Sequence, residues 1–181
     1  MTDPHPEQPE QVIRIVLDAS AIGEYGRSVH VGDVIAHLGA ELARYLDAGD
    51  DDLPGVPAFG VPVLALSTAW QHAGDKEAQD LILGMLGHPW CIVLPVSPEQ
   101  VRRPGDFGWE HPLPEWTAGF DSQETAHTLV CAIDHHCQIL TRLPEQYALD
   151  GAVLDGLLVR IPRDGDDWPD LREYWPSDPT H

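Results

Sequence analysis

Apolar residues in this chain fall into two patterns, short continuous runs and positions that recur with helical spacing. Four runs, at 12–17, 90–96, 138–141 and 157–161, are short and mostly rich in β-branched residues. Runs of this kind are typical of strands that are buried in a parallel sheet. We therefore predict four buried strands.

Between these runs, apolar residues recur every three or four positions, which predicts amphipathic helices. The predicted helices are a short segment after Ser20, 30–47, a mostly buried helix at 62–72, a helix from the cap Asp75 to Leu86, and the helix that follows Asp121-Ser122, with the apolar stripe Ala126, Leu129, Val130 and Ile133. A strand is the alternative for the first half of 62–72. Strands that alternate with helices imply an α/β fold, a three-layer α/β/α sandwich with a mainly parallel sheet.

The length of 181 residues fits one domain, which we place at 12–161. Residues 1–11 are polar and rich in proline, so we expect a disordered tail. The acidic segment 47–60 is predicted to be a loop, and the Trp- and Pro-rich segment 97–119 an irregular insertion. Residues 162–181 form an acidic tail that we expect to be loose.

The charge is strongly acidic, with 10 Lys and Arg against 30 Asp and Glu and a formal net charge of −20. Binding to phosphate backbones needs clustered cations, and the sequence shows no such cluster. An RNA substrate would therefore require bound metal ions or a basic partner to offset the repulsion from this negative charge. A basic protein partner is compatible with this surface.

The three cysteines form no CxxC pair, the first ten residues are polar, and no apolar run approaches the roughly 20 residues that a membrane span needs. We expect a cytoplasmic protein with free thiols and no membrane association.

Asp18 ends the first predicted strand, where open α/β sheets bind their ligands. It is either a site residue or the cap of the following helix, with Ser20 within reach. Glu124 opens the late helix and Thr141-Arg142 end the third predicted strand, so these positions can converge. A carboxylate cluster there would bind Mg²⁺ or Mn²⁺, which generate hydroxide and neutralise a phosphodiester transition state.

Three blocks carry these residues in order: 15–22 with Asp18, the apolar segment 61–70, and 124–145 with Glu124. Together, over about 12–161, they resemble the PIN domain family of metal-dependent ribonucleases, which includes VapC-type toxins. The first block is similar to the family's opening strand, with its Asp and following Ser or Thr. The other two are similar to the buried helix that carries a Glu and to the late helix-turn-strand.

A PIN nuclease uses three or four carboxylates, and this chain departs from that pattern. Asp18 matches the first. The helix Glu falls on Thr68, the late-helix Asp on Thr125 with Glu124 one residue earlier, and the last Asp on Leu143. The resemblance thus implies an incomplete acidic set.

The implied metal ligands are Asp18, Glu124, Asp121 and Glu145, with Ser20 and Thr141 orienting ligands or water. Three hypotheses follow. The first is a PIN-like protein of toxin–antitoxin type that is weakly active or non-catalytic. The second is an active Mg- or Mn-dependent endoribonuclease that uses Asp18 and Glu124. The third is a pure interaction module for a basic partner. The resemblance also implies an antitoxin-like partner and a homodimer.

Two further patterns suggest other chemistry. A zinc site is one alternative, because four possible ligands share one helix: His127, Cys131, Asp134 and His135. A solvated helix face is the competing interpretation, with His127 structural. Trp109 and Trp116 in the insertion suggest a protein contact.

Overall fold

The computed structural model describes residues 13–28, 30–37, 58–97, 122–147, 158–163 and 166–168. The predictions for the tail 1–11, for most of the loop 47–60 and of the insertion 97–119, for Asp121 and for the end of the acidic tail lie outside these residues.

Five strands are present in this part of the chain: β1 Ile13–Leu17, β2 Ala58–Pro62, β3 Cys91–Leu94, β4 Gln138–Thr141 and β5 Leu158–Arg160. They form one sheet in the order β3-β2-β1-β4-β5, and every neighbouring pair is parallel. The four predicted strands are confirmed within one or two residues. The prediction of a loop up to residue 60 is wrong, because β2 lies between β1 and β3.

Gly60 explains how β2 fits into the sheet. A Cβ atom on Gly60 would lie 2.8 Å from Cδ1 of Leu94 and 3.0 Å from Cγ2 of Ile13. The side chains of both neighbouring strands therefore occupy the space that any larger residue needs.

The helices are α1 Ala19–Arg27, α2 at 30–37, α3 Val63–His72, α4 Lys76–Leu86 and α5 Ser122–Asp134, and a 3₁₀ turn follows at Pro144–Tyr147. Asp75 caps α4 as predicted, since its Oδ1 accepts a hydrogen bond of 2.9 Å from the Ala78 amide. Helix α3 is less buried than expected, because only Ala65 and Ala69 are fully buried.

Two hydrophobic clusters cover the two faces of the sheet. Ile15 and Leu17 belong to the cluster that includes residues of α1, α3 and α4. Val16 belongs to the other cluster, with Leu129 and Ala132 of α5. Successive side chains of a strand point to opposite faces, so the helices lie on both sides. The three-layer α/β/α sandwich is confirmed.

Three expectations about burial are wrong. Strand β3 is at the edge of the sheet, so Val93 is exposed and Cys91 is only half-buried. Ile133 is exposed although it continues the apolar stripe of α5. The tail is not loose throughout, because Trp168 packs against the first hydrophobic cluster.

The order of the strands places a crevice between β1 and β4. The chain moves outward from β1 through β2 to β3, and then returns to the other side of β1 to form β4 and β5. Ligands of open α/β sheets bind outside the carboxyl ends of the strands at such a reversal. None of the described helices has the length and hydrophobicity that a membrane crossing needs.

Candidate functional site

Asp18 directly follows β1 and is fully buried. Its Oδ1 accepts hydrogen bonds from the Ser20 hydroxyl at 2.7 Å and from the Ala21 amide at 2.8 Å. The second bond makes Asp18 the N-cap of α1. The capping interpretation is therefore confirmed, and the same side chain lies at the crevice between β1 and β4.

The other carboxylate oxygen of Asp18 faces the 3₁₀ turn. Oδ2 accepts hydrogen bonds from Gln146 Nε2 at 3.0 Å and from the Tyr147 hydroxyl at 3.2 Å. Burial raises the pKa of Asp18, while its hydrogen bonds act to lower it. The folded protein thus supplies four uncharged donors to one buried carboxyl group.

Glu124 lies in the first turn of α5, and only 1% of it is exposed. Its Oε1 accepts hydrogen bonds from the Ala19 amide at 3.3 Å and from the Thr128 hydroxyl at 3.2 Å, and its Oε2 accepts one from the Thr125 hydroxyl at 3.2 Å. Burial, followed by the charge of Asp18, raises the pKa of Glu124 to about 8 against the effect of these bonds. We refer to Asp18 and Glu124 as the carboxyl pair.

Ser20 and Thr141 connect the carboxyl pair to the end of β4. The Ser20 hydroxyl accepts a hydrogen bond of 2.8 Å from the Arg142 amide and lies 3.4 Å from the Thr141 hydroxyl. Oγ1 of Thr141 in turn accepts a hydrogen bond of 2.9 Å from the Leu143 amide. The structure therefore brings Asp18, Ser20 and Thr141 together.

The remaining predicted ligands do not join them. The Glu145 side chain is exposed and lies 3.8 Å from the guanidinium of Arg160, so it faces away from the carboxyl pair. Asp121 lies outside the described residues. Within the part of the chain that the structure describes, no group of three or more His, Cys, Asp or Glu residues is placed to hold a metal ion.

The residues at the other acidic positions implied by the resemblance are neutral. Thr68 and Leu143 line a cleft beside the pair, and the Thr125 hydroxyl donates to Glu124. At position 125 a neutral hydroxyl therefore replaces the expected carboxylate and binds the carboxyl group of Glu124, the preceding residue.

The sequence analysis missed Gln146 and Tyr147, which hold Asp18 from the 3₁₀ turn. Gln146 Oε1 is buried and has no hydrogen-bond partner among the described residues. Burial, and then the charges of Asp18 and Glu124, raise the pKa of Tyr147 well above its usual value, so its hydroxyl stays protonated as a donor. The available signal was their position a few residues after the buried strand β4. The charged Glu145, which directly precedes them, was the predicted ligand instead.

A cleft of about 310 Å³ opens between α1, α3 and the loop after β4. Its lining includes Arg27, His72 and Arg142 as well as Ser20 and Thr68. A smaller cleft of about 170 Å³ shares Thr68 and His72 and reaches Gln123 and Glu124. Glu124 therefore lines the smaller of two neighbouring clefts, and Ser20, which donates to Asp18, lines the larger.

The alternative zinc residues on α5 are not arranged as a site. His127 and Cys131 are fully buried rather than on a solvated face. Burial lowers the pKa of His127, against the effect of the Pro95 carbonyl, and raises the pKa of the Cys131 thiol to about 12. Both side chains are part of the packed interior.

Comparison with models of known protein families and with curated proteins finds no match for this chain. Its function is therefore inferred from the geometry of the site.

Proposed function

We propose that this chain is a PIN-like domain of toxin–antitoxin type whose carboxyl pair does not sustain efficient catalysis, and that it acts by binding. One observation supports this proposal most directly. Every oxygen of Asp18 and Glu124 accepts at least one hydrogen bond from an uncharged protein donor.

A divalent cation fits this arrangement poorly. Mg²⁺ requires oxygen lone pairs in near-octahedral geometry and usually keeps several waters. At Asp18 both oxygens already accept two hydrogen bonds each, and one of these bonds caps α1. Direct coordination would disturb the cap and turn Gln146 and Tyr147 away.

The charge of the pair argues in the same direction. Because the pKa of Glu124 is raised to about 8, this carboxyl group is mostly protonated at neutral pH. Thr68 and Leu143 add no negative charge nearby, so among the described residues a cation would have only the two carboxyl groups of the pair as anionic ligands. The residues present therefore do not fit a catalytic divalent cation.

The second candidate is a Mg- or Mn-dependent endoribonuclease that uses Asp18 and Glu124. The convergence of the pair with Ser20 and Thr141 at the crevice favours it, because an acidic site of the PIN type would lie there. In that case Asp18 and Glu124 would hold the ion. An antitoxin-like basic partner and a homodimer belong to both candidates, and the net charge of −20 favours the basic partner.

Calorimetry of Mn²⁺ and Mg²⁺ binding, combined with RNA cleavage assays, separates the two candidates. The variants are Asp18→Asn and Glu124→Gln, with Glu145→Gln as the matched control for loss of an exposed carboxylate. We expect no saturable binding at sub-millimolar metal and no cleavage by the wild type. Micromolar binding and cleavage that disappear in the first two variants and persist in the control would overturn the proposal.

A further inference from the structure

We infer that the 310 Å³ cleft binds a compact phosphate group, free or as a monoester, and that Arg27 and Arg142, which both line the cleft, hold it. This inference rests on the proposed function, because it assigns a ligand to the cleft of a binding domain. It does not require a metal ion at the carboxyl pair.

Positive charge is scarce in this chain, and the cleft contains two of its cationic side chains. The whole sequence has only ten Lys and Arg residues. Two of them line this cleft, together with the imidazole of His72. Among the described residues, neither Arg27 nor Arg142 forms a salt bridge with a carboxylate.

Both arginines are held in place by backbone carbonyls. Arg27 donates from Nη2 to the His72 carbonyl at 2.8 Å, which links α1 to α3. Arg142 donates from Nη1 to the Pro162 carbonyl. A guanidinium has five N–H donors, so each arginine keeps several for a ligand while one fixes its position. Side chains that are already fixed lose less conformational entropy when a ligand binds.

The lining favours a phosphate group over a carboxylate. A phosphate monoester carries about −1.5 to −2 charges at neutral pH and three acceptor oxygens. Two arginine forks in one lining match that charge and number of acceptor oxygens, whereas a single carboxylate fills one fork. The Thr68 hydroxyl adds a further polar group to the wall.

The size and charge of the cleft favour a small molecule over a polymer. A volume of about 310 Å³ is at the lower end of the range for small-molecule sites. A long polyanion would also be repelled by a chain with a net charge of −20.

Glu24 lines the same cleft, and its negative charge opposes an anion. The variant Glu24→Gln should therefore bind phosphate more tightly than the wild type.

Calorimetry in the presence of a chelator tests the inference with inorganic phosphate, a nucleoside 5′-monophosphate and acetate, a single carboxylate, as probes. We expect the phosphate probes to bind and acetate not to bind. Arg27→Gln and Arg142→Gln should each weaken binding at least tenfold. Arg163→Gln is the control, because Arg163 is exposed and outside the cleft lining. Tighter binding of the monoester than of phosphate would identify an organic phosphate as the ligand, and equal binding would identify free phosphate.

A steric variant keeps the test valid if an arginine variant fails to fold. Gly23 lies in α1 and lines the cleft, and a Cβ atom there would meet nothing within 4 Å. Gly23→Leu should therefore occupy part of the cleft and weaken binding at least tenfold without a change of charge. Gly84→Leu is the matched control, because Gly84 is also helical and equally open but belongs to α4.

Two results would overturn the inference: no binding of either phosphate probe at millimolar concentration, or binding that Gly23→Leu leaves unchanged. Absence of phosphate binding together with absence of metal binding would leave the proposed function intact. Phosphate binding that appears only with Mg²⁺ or Mn²⁺ would instead contradict the proposed function as well.

Discussion

Glu124 should make the stability of the fold depend on pH, because burial raises the pKa of this carboxyl from 4.5 to about 8. Below about pH 4.5 the group is protonated in the folded and the unfolded chain. Between about pH 4.5 and about pH 8 the unfolded chain releases this proton while the folded chain keeps it. The free energy of unfolding should therefore fall as pH rises through this window, at up to about 1.4 kcal/mol per pH unit.

Glu124→Gln should remove this dependence, because the amide resembles the protonated carboxyl group. Its oxygen can still accept from the Ala19 amide, and its NH₂ group can donate to the Thr125 hydroxyl. We expect the variant to be more stable than the wild type near pH 8, by about 1–3 kcal/mol, and similar near pH 5. Urea denaturation at several pH values measures this difference. Glu145→Gln should follow the wild type, and an unchanged slope in Glu124→Gln would contradict the assignment.

Asp18 should matter for stability through its hydrogen bonds rather than its charge. Asp18→Ala removes the cap of α1 and leaves Gln146 and Tyr147 without their acceptor, so we expect a loss of about 2–4 kcal/mol. Asp18→Asn should lose about 1 kcal/mol, because the Gln146 amide can turn and offer its unpartnered Oε1 to the new NH₂ group. Chemical denaturation of both variants tests this, and equal losses would show that the negative charge is required.

At the scale of elements, the apolar pattern was sufficient to predict β1, β3, β4 and β5 and the helices, because packing of strands and helices in a layered fold needs that pattern. It failed for β2, whose sequence Ala58–Pro62 contains Gly60 and ends in proline, two residues that weaken strand propensity. The strand forms because neighbours on both sides pair with it.

In the site, Asp18 and Glu124 could be predicted because each lies at the end of a predicted strand or helix. Gln146 was not, because a single 3₁₀ turn has no periodicity to detect.

Gly60 provides a test of how tightly β2 is packed. Gly60→Ala places a Cβ atom 2.8 Å from Cδ1 of Leu94 and 3.0 Å from Cγ2 of Ile13, so at least the Leu94 side chain must shift. We expect a loss of about 1–3 kcal/mol in the free energy of unfolding. Gly84→Ala in α4 is the control with the opposite sign, because its Cβ atom meets nothing and the helix gains about 0.5–1 kcal/mol. Thermal unfolding of both variants measures the effects, and a Gly60→Ala variant as stable as the wild type would show that β1 and β3 adjust freely.

At the scale of the whole molecule, one topological feature assembles residues that are far apart in the chain. Because β4 returns to the free side of β1, the start of α1, the start of α5 and the 3₁₀ turn all reach the same crevice. Asp18 and Tyr147 are 129 residues apart in sequence and lie 3.2 Å apart in the fold. The arginines of the cleft are brought together by the same return, since Arg27 ends α1 and Arg142 follows β4.

The C-terminal segment is joined to this core by Trp168. Its indole N–H donates to His30 Nε2 at 2.8 Å, and its ring packs at the first hydrophobic cluster. Trp168→Ala should destabilise the fold by about 1–3 kcal/mol and speed tryptic cleavage after the exposed Arg163, because the segment loses its apolar contact. Trp168→Phe keeps an aromatic ring but loses the hydrogen bond and the second ring of the indole, so its loss should be smaller than that of Trp168→Ala. Urea denaturation and timed proteolysis measure both effects. Cleavage after Arg163 that is equally fast in the wild type and in Trp168→Ala would show that this contact does not hold the segment in solution.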